Sequence, residues 1–267
     1  MGIDFIINYC CPVKESLGTD KIVSLLKGKS HAETVLEMSR QQGDKRPPSE
    51  ITFVRRLNTP EGPKDHEVNL QNLLNETKEL DSYMEQCENC PARIENRPFG
   101  CVGYLNYPIL AEAEKWLTSR LPQNLKSMEG FVLMKSIRDF EYDGTPVRNL
   151  RKQDRTFFQL KKPVVKKWDS LFSGKSVSSD QIFQMLFFVG DIQPSHACMV
   201  CLFIGMADPG FNPSLMGELM KNLSAREKYL NAISVDEQVA VKTGYLFLFL
   251  NAMRLAGCLD VDLLVRN

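Results

Sequence analysis

Cys87-Glu88-Asn89-Cys90-Pro91-Ala92-Arg93-Ile94-Glu95-Asn96-Arg97-Pro98-Phe99-Gly100-Cys101 is the stretch on which the reading of this chain turns. Two thiolates separated by two residues can grip one metal ion from a tight turn, and a third returning from a nearby loop adds another bond. Zn²⁺ favours four such ligands in a tetrahedron. Pro91, Pro98 and Gly100 stiffen and bend the loop, which has little apolar material of its own. Residues 65–95 carry Asp65, Glu67, Glu76, Glu79, Asp81, Glu85, Glu88 and Glu95 against Lys78 and Arg93. Negative neighbours make a bare thiol a poor nucleophile, whereas a bound cation stabilises thiolates directly.

The fourth ligand is sought at Cys10 or Cys11, where the first predicted strand ends before Pro12. Adjacent residues of an extended chain face opposite ways, so one of the two should ligate. Cys198 and Cys201 repeat the Cys-x-x-Cys spacing, but inside an apolar run that reads as a buried helix, and with Cys258 they are read as core thiols. The cofactor expected is therefore zinc on Cys87, Cys90, Cys101 and Cys10 or Cys11. An iron–sulfur cluster is the alternative, although neither common ferredoxin spacing is present.

Outward from this loop, hydrophobic residues make up 43% of 267 and charged residues 25%, which is the composition of an ordinary globular chain. Net charge is zero, so no global field draws the protein to nucleic acid or an anionic membrane. Met1-Gly2-Ile3-Asp4 lacks the basic start of a secretory signal, and no apolar run approaches a membrane span. The expectation is a reducing, cytoplasmic compartment and no membrane partner.

Apolar and β-branched runs predict strands at 3–9, 51–57 and 102–107. A helix ending at Gly28 is expected, then a second beginning with a capping box from Ser30 to Glu33. Leu70, Leu73, Leu74, Leu80 and Met84 predict one helix over 67–86, and Ile109 to Leu121 another after Pro108. Residues 130–140 are ambiguous. Glu141 to Pro146 reads as a turn and as the domain boundary. Beyond Gly174 the pattern is helical, with starts near Ser179, Pro194, Ser224 and Ser234 and a last helix over 235–256. The fold expected is thus an α+β or α/β domain over 1–145 with a small sheet, followed by a mainly helical domain over 146–267.

Two further motifs carry chemistry. His31-Ala32-Glu33, taken with Cys87-Glu88-Asn89-Cys90, resembles the signature of zinc-dependent nucleobase deaminases. That resemblance implies His31, Cys87 and Cys90 as zinc ligands and Glu33 as the proton shuttle, though Gln86 stands where the family has proline. The second motif is a basic segment, 148–167, with Arg148, Arg151, Lys152, Arg155, Lys161, Lys162, Lys166 and Lys167 against Asp154 alone. Phe157, Phe158 and Trp168 interleave with it, so it could follow a phosphate backbone while the rings stack on bases. The reading adopted is a metal-stapled binding or scaffold protein with an unidentified protein or ligand partner; the deaminase and nucleic-acid readings are the alternatives.

Overall fold

Ile3-Asp4-Phe5-Ile6-Ile7 is too short and too apolar for a surface helix, and it forms β1 (Gly2–Ile7), four of whose six residues are buried. The computed structural model describes residues 2–59, 62–94, 97–153, 156–168, 174–206 and 244–266. The chain divides into two compact units: unit 1 joins Met1–Tyr9 to Gly100–Asn267, and unit 2 is Cys10–Phe99. The boundary expected at 145 falls inside unit 1. Residues 141–144 do turn, but the turn is tied down: Gly144 N–H donates to Gln184 Oε1 (2.6 Å), and Gln181 Nε2 donates to the Tyr142 carbonyl (2.9 Å).

Unit 2 opens with α1 (Pro12–Leu17), which has Cys11 at its N-cap and ends at Gly18 with φ +73°. Next comes α2 (Thr19–Gln41), a single helix of 23 residues where the sequence predicts two. Gly28 does not stop it. That residue is where another helix comes close: a Cβ there would meet Leu73 Cδ1 and Thr77 Cγ2, both at 3.3 Å. Ser30 is therefore interior to α2, where its carbonyl accepts the Thr34 hydroxyl, and no capping box forms. The antiparallel hairpin of β2 (Thr52–Thr59) and β3 (Gly62–Asn69) follows. The helix expected over 67–86 is divided: α3 (Leu70–Thr77), a 3-10 segment (Lys78–Tyr83) and α4 (Met84–Glu88). Asn69 sets its start, accepting the Asn72 N–H on its side-chain oxygen. Ala32, Ile51, Leu70 and Leu73 form the buried cluster that joins α2 to α3, flanked by Val35, Leu36, Phe53, Val68 and Leu74.

In unit 1, β1 is the middle strand of an antiparallel sheet between β4 (Val102–Asn106) and a C-terminal strand that periodicity does not reveal. Phe5 pairs with Gly103, and its ring lies over the glycine. Beyond β4 run α5 (Ala111–Ser119), α6 (Met128–Asp139) and α7 (Thr145–Gln153), then the hairpin of β5 (Val165–Trp168) and β6 (Lys175–Ser178). The ambiguous 130–140 run is thus helix, its start capped by Ser127 on the Gly130 N–H. A capping box between Ser178 and Gln181 launches α8 (Ser179–Phe187), and Pro194 opens α9 (Pro194–Phe203). The helices close with α10 (Tyr245–Cys258), and the third strand of the sheet is β7 (Leu263–Arg266). Phe183, Phe187, Phe249 and Phe5 make a chain of ring contacts, 5.2–5.6 Å between centroids, through this core.

Every strand pair described is antiparallel, so the mixture of helix and small sheets is compatible with α+β and not with a wound parallel sheet. Three strands in the second half make it less purely helical than expected. The loop expected at 207–213, the helix starts at Ser224 and Ser234 and the first part of the last expected helix lie outside the described residues. Among the described residues, no helix is long and apolar enough to cross a membrane.

Candidate functional site

Three thiols of unit 2 bear on one another's surroundings through Cys87, on which both Cys11 and Cys90 act. Cys11 stands in extended backbone (φ −154°, ψ 156°) where Pro12 starts α1. Cys87 ends up buried at 6% exposure near the close of α4, and its carbonyl accepts the Cys90 N–H at 3.2 Å. Phe99 adopts a left-handed backbone, φ +56°, and its N–H points to the Cys87 sulfur. Burial pushes the Cys87 thiol above its ordinary range. The Phe99 N–H opposes that shift, the neighbouring Cys90 and Cys11 thiols add to it, and Lys14 pulls it down. Cys11 and Cys90 therefore both act on Cys87, although Cys11 comes from the start of the chain. Cys10 is exposed and donates its S–H to Glu15 Oε1 at 3.1 Å, a bond that raises its own thiol.

The fifth thiol of the expected set, Cys101, belongs to unit 1. It sits directly before β4, and its carbonyl accepts the Ile7 N–H at 2.8 Å. All eight cysteines are free thiols. Among the described residues, no three His, Cys, Asp or Glu side chains converge into a set able to hold a metal ion as they stand. Cys198, Cys201 and Cys258 are buried, as their apolar surroundings imply, and burial raises the Cys201 thiol.

The residues of the deaminase resemblance are placed differently from one another. His31 rests its ring on Phe53, 5.0 Å between centroids, and Glu33 is on the solvent side of α2.

Unit 1 holds a charged cluster that sequence reasoning missed. The Arg151 side chain of α7 is 3% exposed; its Nη2 donates to Glu114 Oε1 of α5 and its Nε to Asp180 Oδ1 of α8, both at 2.6 Å. Its Nη1 donates to the Leu160 carbonyl at 2.8 Å, and the guanidinium lies 4.2 Å from the Phe158 ring centroid. Glu114 Oε1 also accepts the Ser179 hydroxyl (2.6 Å) and the Val164 N–H (3.1 Å). Glu114 and Asp180 are fully buried. A signal was legible: Glu114 falls on the stripe of α5 that carries Ala113 and Leu117, and a carboxylate on a buried face calls for a cation.

That cluster corrects the basic segment. Arg151 is an interior ion-pair partner and presents no charge to an outside polyanion. Lys166 is half-buried, and its Nζ donates to the Leu121 carbonyl at 2.6 Å. Phe158 is buried, Phe157 packs edge-on against Tyr107, and Trp168 donates its Nε1–H to the Pro122 carbonyl, so these rings do not form a stacking platform. Arg148, Lys152, Lys161, Lys162 and Lys167 are exposed, and Arg155 lies outside the described residues. Comparison with protein-family models, curated proteins and solved structures finds no match to this chain.

Proposed function

We propose that unit 2 is a thiolate metal module, in which Cys11, Cys87 and Cys90 take zinc and the protein serves as a binding or scaffold component of a reducing compartment. One observation carries this reading: Cys11, which shares no local sequence with Cys87, acts electrostatically on the Cys87 thiol, as Cys90 does. The donor chemistry fits, because thiolates suit Zn²⁺ and the Phe99 N–H on the Cys87 sulfur favours the ionised form. Such an ion would supply stability to a unit with a small apolar cluster, and the thiols would close on it as it binds.

The test is metal content and melting temperature of the purified full chain. Wild type should carry one zinc per chain. Cys87→Ser should lose both the metal and several degrees of stability, while the exposed Glu33→Gln keeps both. Metal-free wild type from zinc-replete cells, or a Cys87→Ser variant that retains its zinc, contradicts the proposal; brown absorbance assigns the thiols to an iron–sulfur cluster instead.

A further inference from the structure

Arg151 organises more than the interior of unit 1. Its Nη1 holds the Leu160 carbonyl, so the residues directly after each, Lys152 and Lys161 with Lys162, are brought to one end of α7. Arg148 precedes Lys152 by four residues and therefore lies on the same side of the helix, one turn earlier. All four are exposed. Among the described residues, no carboxylate lies within ion-pair distance of Lys152, Lys161 or Lys162, whereas exposed cations elsewhere, Lys21, Lys29 and Arg266, are paired with Glu79, Asp81 and Asp191. Arg148 keeps its guanidinium on the Asp143 carbonyl (2.7 Å) and the Thr145 hydroxyl (2.8 Å). The Asp143 carboxylate accepts from the Thr145 N–H (2.7 Å) and hydroxyl (2.5 Å).

We propose that Arg148, Lys152, Lys161 and Lys162 form a docking face for the phosphate backbone of a duplex nucleic acid, recognised by charge and without regard to sequence. Three cations without a carboxylate partner among the described residues, with Arg148 beside the Asp143 carboxylate one turn earlier, complement an extended row of phosphates, while the occupied aromatic rings leave no stacking surface for separated bases. The buried guanidinium is a positioning group and touches no ligand.

The probe is a labelled duplex oligonucleotide of mixed sequence, titrated with the full chain and followed by anisotropy. The log of the association constant should fall linearly with log salt, with a slope of about −3.5 for four phosphate contacts. Affinity should then drop roughly a hundredfold between about 50 and 200 mM salt. The double variant Lys161→Gln/Lys162→Gln should make the slope shallower by about 2 and leave the melting temperature unchanged. A scrambled duplex should bind equally. No binding at low salt, a slope untouched by the double variant, or binding to phosphatidylserine vesicles with none to the duplex overturns the proposal.

Discussion

Charge is handled in opposite ways in the two units. In unit 1, Arg151 joins α5, α7 and α8 from within, through carboxylates at 0% side-chain exposure. In unit 2, Lys21–Glu79 and Lys29–Asp81 tie α2 to the 3-10 segment across water, with side chains 36–52% exposed. Exposed pairs are screened and contribute little, whereas a buried pair that loses one member strands a charge in a low-dielectric interior. Unit 1 thus depends on its ions, while unit 2, with a modest apolar cluster and these surface pairs, is the unit that a bound cation would stabilise more.

The sharpest break of this contrast is Arg151→Met, which leaves Glu114 and Asp180 buried without a counter-charge. It should destabilise unit 1 by roughly 3–5 kcal/mol, whereas Lys21→Met should cost less than about 1 kcal/mol, both read from denaturant midpoints. A second pair concerns packing. At Gly103 an added Cβ would stand 2.3 Å from Phe5 Cζ, so Gly103→Ala should cost about 1–3 kcal/mol. At Gly28 the neighbours are side-chain methyls at 3.3 Å, and the helix gains from alanine, so Gly28→Ala should shift stability by less than about 1 kcal/mol. An overpacked Gly28→Ala unit would mean that α2 and α3 yield less than the geometry implies.

The smallest effect is a pH slope in unit 1. His196 Nε2 hydrogen-bonds the Met185 carbonyl at 2.8 Å, and burial holds the imidazole below its ordinary 6.5 despite that bond. The unfolded chain therefore binds a proton first as pH falls. Stability from this group is full above about 6.5 and declines as the pH drops from there through the lower folded value. Thermal melts from neutral to mildly acid pH should show that decline in wild type and a flatter curve in His196→Gln.

The sequence made the strands at 2–7 and 102–106 legible because apolar, β-branched runs bounded by turns have few alternatives. It misread Gly28, since helix propensity treats glycine as a stop and cannot register α3 packed against it. β7 was hidden because its four residues gain their pairing from the distant β1 and from Ile192, neither of them near in sequence. Among the thiols, spacing led to Cys87 and Cys90 as candidates, and the strand end to the Cys10–Cys11 pair. What spacing could not reveal is that the chain changes unit just before Cys101: Phe99 closes unit 2 and Gly100 opens unit 1, a tertiary division with no local signal. In the basic segment, composition showed eight cations but could not show that one of them, Arg151, had buried partners in α5 and α8.

Metal binding to protonated thiols must expel their protons, and burial keeps the Cys87 thiol protonated beyond the usual range. Calorimetric titration of the reduced chain with Zn²⁺, repeated in buffers of different ionisation heat, counts those protons directly. One saturable site with release of about three protons near neutral pH, falling by about one in each of Cys11→Ser, Cys87→Ser and Cys90→Ser, is the predicted result. Heats that stay at dilution level, or release unchanged in all three variants, would contradict a thiolate centre in unit 2.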